Sequence, residues 1–217
     1  MKIRLLLALF LLKTAFSTAQ TNCAKAYLYE ANIRSMVERG TSVWVGTDIG
    51  LVEIDRATRT VVARFDRNNS LLDGPVTALS VDADNALLVG TDKLWRTQDL
   101  VSWTKVLDAG AEIRDLHVQD DTLVWAATAL GVWRLGKLPA PEFFKTTNSQ
   151  LPNNWVNRVR SDQFGNAWLA IGQPFSQGGL LKIPTVGPWK FFKKPTSPLP
   201  QTSAVRDLLV DQNGSVW

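Results

Sequence analysis

The sequence predicts an all-β chain built from a repeated four-stranded unit. A tryptophan-centred phrase returns about every 43 of the 217 residues, and a period of this size is typical of repeat architectures. Apolar residues alternate within short segments, and the sustained three- and four-residue spacing of helices is missing. Four short strands per repeat describe one blade of a β-propeller. We therefore expect an incomplete β-propeller of about 4.5 blades that is cut off at the end of this sequence.

Each repeat begins with an apolar residue, and we call these five positions the first apolar column. The column consists of Ile33, Val76, Ile113, Val156 and Val205. A second apolar residue follows three positions later, and then a segment rich in Asp, Asn and Gly, such as Asp211-Gln212-Asn213-Gly214, predicts a tight turn. We expect blades to begin near residues 33, 76, 113, 156 and 205, so the sequence ends inside the hairpin of a fifth copy.

The tryptophan phrase is predicted to form the second strand of each blade. Its tryptophans are Trp44, Trp125, Trp168 and Trp217, and Leu88 takes this place in the second copy. An inner strand of a propeller lies between neighbouring blades, so we interpret these side chains as inter-blade packing. We interpret Gly46 and Gly90, two residues further on, as positions where backbones approach closely near the propeller axis.

Third and fourth strands complete each predicted blade. The third strands are expected at 51–54, 93–96, 132–135 and 180–183, and the fourth at 61–65, 103–106, 143–145 and 189–192. Before the first copy, Ala26-Tyr27-Leu28-Tyr29 alternates like a strand that would complete the last blade of a closed ring.

The first 20 residues form a separate segment. Lys2 and Arg4 precede an apolar run from Leu5 to Leu12, and the small residues Ser17-Thr18-Ala19 follow, as in a cleaved secretory signal peptide. Lys13 interrupts the run before it reaches the roughly 20 apolar residues of a bilayer span, which makes an uncleaved anchor the weaker alternative. We expect a signal peptide at 1–20, a partial propeller at 21–217, and a periplasmic, cell-surface or extracellular location.

Charge and cysteine content exclude several classes of function. The formal charge of +4 includes three basic residues of the signal peptide, so the mature chain carries only +1, which argues against nucleic acid as a partner. Cys23 is the single cysteine, so no intrachain disulfide can form. No cluster of Cys, His and carboxylates has the spacing of metal ligands, and no cofactor is expected.

Catalytic patterns are weak. His117 is the sole histidine and lies on a predicted strand without partners for general-base chemistry. The segment Thr97–Trp103 is similar to the Asp-box turn of sialidase-type propellers, but such a turn stabilises the fold and performs no hydrolysis. Tyr27 and Tyr29, the only tyrosines, lie near the mature N-terminus. We therefore expect no catalytic residues in this segment.

Three arginines are the sharpest binding candidates. Arg34, Arg114 and Arg206 each follow the first apolar column directly, and Arg158 is displaced by one. Strand residues near the axis can line a positive channel that suits acidic sugars or the carboxylates of a partner. Ion pairs with Asp115 and Asp207 within the blades are the stronger alternative.

Other candidates lie outside the repeat columns. Trp95 and Trp133 are free of the tryptophan column and are candidate ligand contacts. The insertion from Ile171 to Gly179 and the stretch from Gly136 to Pro141 are candidate loops at one face of the propeller, where binding groups commonly lie.

The repeat resembles the two-component regulator propeller family. The resemblance rests on Val205-Arg206-Asp207-Leu208, on the Asp211–Gly214 turn, on Trp44-Val45-Gly46-Thr47 and on Gly50-Leu51, and it covers about Ile33 to Trp217. It implies an extracytoplasmic sensor, commonly part of a hybrid histidine kinase that responds to polysaccharide fragments. The resemblance also implies a glycan or protein ligand, dimerisation, and membrane anchoring through segments beyond Trp217. A secreted or surface scaffold resembling type IX secretion propellers is the alternative.

Overall fold

The computed structural model describes residues 31–68, 72, 74–136, 140–173, 178–193 and 204–217. The predicted signal peptide, Cys23 and the segment Ala26–Tyr29 lie outside these residues. Those from 32 onward belong to one compact unit. Within the described part, no helix is long and apolar enough to cross a membrane.

Among the described residues, sixteen strands form four antiparallel sheets, and in each sheet four consecutive strands pair in sequence order. Blade 1 contains β1 (Ile33–Arg39), β2 (Ser42–Thr47), β3 (Gly50–Asp55) and β4 (Thr60–Phe65). Blade 2 contains β5 (Ala78–Val81), β6 (Leu87–Gly90), β7 (Lys93–Thr97) and β8 (Thr104–Asp108). Blade 3 contains β9 (Ile113–Asp120), β10 (Leu123–Thr128), β11 (Val132–Leu135) and β12 (Glu142–Phe144). Blade 4 contains β13 (Val156–Ser161), β14 (Ala167–Ile171), β15 (Gly179–Ile183) and β16 (Lys190–Phe192). The prediction of four-stranded propeller blades is confirmed.

The hydrophobic core lies between the blades. The first strands contact one another in order, β1 with β5, β5 with β9, and β9 with β13. Three apolar clusters fill the three junctions, with Trp44 and Val76 between blades 1 and 2, Leu88 and Ile113 between blades 2 and 3, and Trp125 between blades 3 and 4. Burial of these faces against each other supplies the main driving force for stacking the sheets.

A fifth copy begins after blade 4. The backbone N–H of Val205 donates to the carbonyl of Ile171 at 3.2 Å, which attaches the copy to the end of β14. Leu209 and Trp217 exchange two backbone hydrogen bonds, and Val210 pairs with Val216 in an isolated bridge. The Asp211–Gly214 turn therefore closes a short hairpin, as its Asp and Gly residues predict.

In the fourth and fifth copies, an aspartate at the hairpin turn binds the tryptophan of the second strand, and in the third copy Oε1 of Gln119 accepts the indole of Trp125 at 2.8 Å instead. Asp162 accepts the backbone N–H of Phe164 and Asn166 and the indole Nε1–H of Trp168. Asp211 holds its own turn in the same way and accepts the indole of Trp217 at 3.2 Å. The aspartate thus fixes the turn and anchors the tryptophan of the following strand.

The second copy replaces the indole with a guanidinium. Leu88 stands in the tryptophan position, and Arg96 from β7 donates to Asp82 at 2.6 Å instead. Asp82 keeps its bonds to the backbone of Asp84 and Ala86. The divergent copy therefore preserves the turn by a different donor.

The tryptophan column is not buried uniformly. Trp44 and Trp125 are buried, Trp168 is half-buried, and Trp217 is exposed. A Cβ on Gly46 would lie 2.7 Å from the carbonyl oxygen of Val76, and one on Gly90 would lie 3.0 Å from Ile113. Both glycines thus lie against the first apolar column of the next blade, where a side chain would separate the two sheets.

Strand β5 begins two residues later than the apolar column suggests. The backbone N–H of Val76 donates to the carbonyl of Thr47 at the end of β2, so it binds blade 1 before the pairing of blade 2 begins. The same link joins Ile113 to Thr91 at 2.7 Å. The first apolar column therefore ties each of these copies to the copy before it.

Candidate ligand-binding site

All five copies contribute to one cavity of about 340 Å³, which we call the axial cavity. The residues that line it are Arg34, Thr77, Glu112, Arg114, Trp155, Asn157, Arg158, Gly172 and Arg206. Five of these, namely Arg34, Thr77, Arg114, Asn157 and Arg206, are the residues that directly follow the first apolar column. In the second to fifth copies the column packs against the copy before it, and in all five copies the residue after the column lines this cavity.

Two of these five residues are short polar side chains that join neighbouring copies. Thr77 donates from Oγ1 to the carbonyl of Ile113 at 2.6 Å. Asn157 donates from Nδ2 to the carbonyls of Val205 and Gly172, both at 2.8 Å. Ile113 and Val205 are the first-column residues of the next copies. Thr77 and Asn157 therefore satisfy backbone carbonyls of the next copy at the cavity wall.

The other three residues are arginines that leave their charge in the cavity. Arg34 and Arg206 are exposed, and Arg114 is half-buried. Within the described part of the chain, none of the three forms a salt bridge. The Nε of Arg114 is buried without a hydrogen-bond partner, which is a costly arrangement for a donor of this kind.

The guanidinium of Arg114 lies 4.6 Å from the centre of the Trp155 ring, in cation–π geometry. Burial lowers the pKa of Arg114, nearby Glu112 opposes this effect, and the charge of Arg158 adds to it. Arginine stays protonated in proteins. The lowered pKa therefore means that the charge of Glu112 does not fully offset the cost of burying the Arg114 cation.

Trp155 is held in place by two asparagines. Its indole Nε1 donates to Oδ1 of Asn157 at 3.0 Å, and its backbone N–H donates to Oδ1 of Asn153 at 2.9 Å. Because Asn157 is buried and bonded on its other side to Gly172 and Val205, the ring is fixed relative to blade 4 and the fifth copy. The cavity therefore has one rigid aromatic wall beneath a cation.

The ion pairs of Asp115 and Asp207 differ from the prediction. Asp115 of blade 3 pairs with Arg158 at 3.1 Å and with Arg160 at 2.7 Å, both on blade 4, and Arg158 also pairs with Asp207 of the fifth copy. The expectation of pairs within the blades is wrong, because the contact of β9 with β13 places Asp115 beside Arg158 and Arg160 of the next blade. Arg158 takes both carboxylates, and Arg34, Arg114 and Arg206 take neither.

Asp115 is the buried centre of this junction. It also accepts the backbone N–H of Val159 at 2.9 Å. Burial raises the pKa of Asp115, against the opposing effects of Arg160, the Val159 N–H and Arg158. Its role is to join β9 to β13, next to the axial cavity.

Trp95 and Trp133 lie away from the arginines. Trp95 packs in the junction of blades 1 and 2, and Trp133 packs in the junction of blades 2 and 3, stacked on Phe143 with ring centres 4.4 Å apart. The indole Nε1 of each is buried without a hydrogen-bond partner. The structure does not bring these two tryptophans to the axial cavity.

The remaining sequence candidates lie at turns and junctions. His117 on β9 forms a 2.8 Å hydrogen bond between Nε2 and Oγ of Ser161 on β13. Asp99 accepts the backbone N–H groups of Val101 and Ser102, as an Asp-box-like turn requires. Gly172 of the blade 4 insertion lines the axial cavity, while residues 174–177 and 137–139 of the candidate loops lie outside the described residues. Among the described residues, no three His, Cys, Asp or Glu side chains are grouped to hold a metal ion.

Sequence reasoning missed Thr77, Glu112 and Asn157 as lining residues, and of the tryptophans outside the column it selected Trp95 and Trp133 rather than Trp155. A signal for them exists, since Glu112 and Trp155 directly precede the first apolar column and Asn157 directly follows it. Comparing the flanking positions of all five copies, rather than the arginines alone, would have identified them.

Comparisons with known proteins bear on the fold. No protein-family model matches the chain, and no curated protein matches it. The extracellular domain of a protein assigned as a hybrid two-component system from Bacteroides thetaiotaomicron superposes with a TM-score of 0.73 at 20% identity over 86% of this chain. The fold is a β-propeller. This chain spans only 26% of that neighbour.

Propeller neighbours also include enzymes. A streptogramin B lyase superposes with a TM-score of 0.69 at 12% identity over 87% of this chain. Virginiamycin B lyase from Staphylococcus aureus gives a TM-score of 0.65 at 11% identity over 85%. This chain spans 62% of each lyase, and fold alone does not assign an activity.

Proposed function

We propose that this chain is a non-catalytic, ligand-sensing propeller of an extracytoplasmic two-component sensor, and that it recognises an anionic group in the axial cavity. One observation carries the proposal: Arg34, Arg114 and Arg206, from three copies of the repeat, point their charge toward one cavity, and the described residues provide no salt bridge for any of them. Cations that form no salt bridge in a concave site attract an anionic ligand.

The neighbour from Bacteroides thetaiotaomicron supports the sensor class, because it is the extracellular domain of a protein assigned to a two-component system. The alternative is a surface scaffold, in which carboxylates of a protein partner occupy the same cavity. Both proposals place this chain outside the cytoplasm.

A lyase activity is less well supported. A neighbouring structure is a histidine-to-alanine variant of virginiamycin B lyase described as catalytically inactive. The one histidine of this chain, His117, is bonded to Ser161 at the junction of blades 3 and 4 and is not among the residues that line the axial cavity. Nε2 of His117 also accepts the backbone N–H of Ser161 at 3.0 Å, so this histidine joins β9 to β13.

The experiment is a calorimetric titration with glucuronate and with glucose, which lacks the carboxylate. We expect the wild-type chain to bind glucuronate in preference to glucose, and the double variant Arg114→Ala, Arg206→Ala to bind it at least about tenfold more weakly, since charge-assisted contacts are lost. The matched control is Arg56→Ala, an exposed arginine paired with Glu38 on blade 1. Equal affinity of the wild type and the double variant would overturn the proposal.

A further inference from the structure

A second cavity of about 270 Å³ adjoins the axial cavity. It is lined by Gly74, Pro75, Thr77, Thr91, Asp92 and Glu112, and we call it the acidic cavity. Thr77 and Glu112 line both cavities. The two spaces therefore share a wall at the junction of blades 2 and 3.

The charges of the two cavities are opposite. The axial cavity has four arginines and one carboxylate, that of Glu112. The acidic cavity has the carboxylates of Asp92 and Glu112, and no Lys, Arg or His is among its described lining residues. A single ligand that occupies both cavities, passing Thr77 and Glu112, would thus meet positive charge at one end and negative charge at the other.

Glu112 is the residue at the boundary. It is exposed, and it forms no salt bridge with any described residue, although its charge acts on Arg114. Asp92 is partly engaged, since it accepts Oγ1 of Thr91 at 3.2 Å and lies 3.4 Å from Nζ of Lys93. The carboxylate of Glu112 is therefore the one that remains free to bind a ligand.

We propose that the two cavities form one dipolar site for a small zwitterionic molecule. Its carboxylate binds Arg114 and Arg206, and its protonated amine binds Glu112 with Asp92 behind it. This proposal rests on the proposed function, because it takes the anion site of the axial cavity as given. It adds the chemical class of the ligand, which combines an acid and an amine in one small molecule.

Glu112 makes the site selective against ligands that are only anionic. A second anionic group in the ligand would approach the Glu112 carboxylate and be repelled, whereas an ammonium group at that place forms a charge-assisted hydrogen bond. The combined space lies within the usual range of small-molecule sites, roughly 300–1,000 Å³.

The probes are two matched sets in which one charged group of the zwitterion is removed at a time. Triglycine is compared with N-acetyl-triglycine, which keeps only the carboxylate, and with triglycine amide, which keeps only the amine. Galactosaminuronate is compared with N-acetylgalactosaminuronate. The first set tests peptides as the source of the ligand, and the second tests amino sugars.

We expect the free-amine member of at least one set to bind at least about tenfold more tightly than its N-acetyl form. Glu112→Gln should abolish this difference and leave the affinity of the N-acetyl form unchanged or increased, because a repulsive charge is removed. Glu38→Gln, an exposed glutamate on blade 1, is the control and should preserve the difference. Thermal unfolding of Glu112→Gln should match that of the wild type, since the side chain is exposed.

Two outcomes separate this inference from the proposed function. If the free-amine and N-acetyl forms bind equally in both sets and both lose affinity in Arg114→Ala, the dipolar site is wrong and the anion site stands. If no member of either set binds while glucuronate does, the dipolar site is also wrong. If glucuronate fails to bind as well, the proposed function is wrong together with it.

Discussion

The residue after the first apolar column is either a short polar residue or an arginine, and the two types have different roles at the cavity wall. Thr77 and Asn157 are short and donate to the backbone of the next copy. Arginine occupies the same position in the first, third and fifth copies and is too long to make this local bond, so its guanidinium extends into the cavity. Copies that carry an arginine at this position therefore alternate along the chain with copies whose short side chain binds the next copy.

His117 makes stability depend on pH. Burial, with a smaller effect of the Arg160 charge, lowers its pKa from 6.5 to about 4. Between these two pH values the unfolded chain binds a proton that the folded chain excludes, so the free energy of unfolding should fall as the pH is lowered from 6.5 to 4, by about 2 kcal/mol.

Urea unfolding at several pH values measures this dependence against a His117→Gln variant. The raised pKa of Asp115 acts in the opposite direction but is common to both proteins. The variant should lose the histidine part of the slope. Parallel curves for the wild type and the variant would show that His117 is not the titrating group.

At the scale of elements, the junction of blades 3 and 4 depends on one buried carboxylate. Asp115 on β9 binds two arginines and a backbone N–H of β13, and its side chain is 6% exposed. Asp207 binds the same Arg158 but is 70% exposed. The two aspartates therefore differ both in burial and in the number of arginines that they bind.

We expect Asp115→Ala to lower the free energy of unfolding by about 2–4 kcal/mol, because the N–H of Val159 and two cations lose their partner. Asp207→Ala should cost less than about 1 kcal/mol, as exposed pairs do. Chemical denaturation of both variants measures the difference. A similar cost for the two would contradict the account of this junction.

Sequence reasoning predicted the blades well because strand alternation and turn residues are local signals. The third and fourth strands lie within one or two residues of their expected bounds. Segments rich in Asp, Asn and Gly, such as Asp211–Gly214, predict the turns. The bond from the turn aspartate to the following tryptophan depends on the register of two paired strands, which the sequence does not show.

The cavity was only partly predictable. The three arginines can be recognised in the sequence because they share one position of the repeat. Glu112 and Trp155 line the cavity because of how neighbouring blades stack, which the sequence does not show. Trp95 and Trp133 illustrate the opposite case. Each is outside the tryptophan column, yet each fills a junction between blades, which no spacing rule along one copy reveals.

At the scale of the whole molecule, equivalent residues are buried unequally. Ile33 and Met36 on β1 are 53% and 62% exposed, whereas their equivalents Val76 and Leu79 are buried between blades 1 and 2. The apolar residues of the first strand therefore stabilise this chain only where a preceding blade covers them.

Substitution at equivalent positions tests this inequality. Met36→Gln should change the free energy of unfolding by less than about 0.5 kcal/mol, because the side chain is exposed. Leu79→Gln should cost about 2–4 kcal/mol, because it places an amide in an apolar junction. Equal effects in thermal or urea unfolding would mean that β1 is covered in solution.

The most direct test of the anion site is a crystal structure of this chain with glucuronate. We predict that the glucuronate carboxylate lies in the axial cavity, with one oxygen at about 2.9 Å from a guanidinium nitrogen of the exposed Arg206 and the sugar ring beside Trp155. A structure in which glucuronate lies elsewhere, and Arg114 is bonded to Glu112 across an unliganded cavity, would contradict the account.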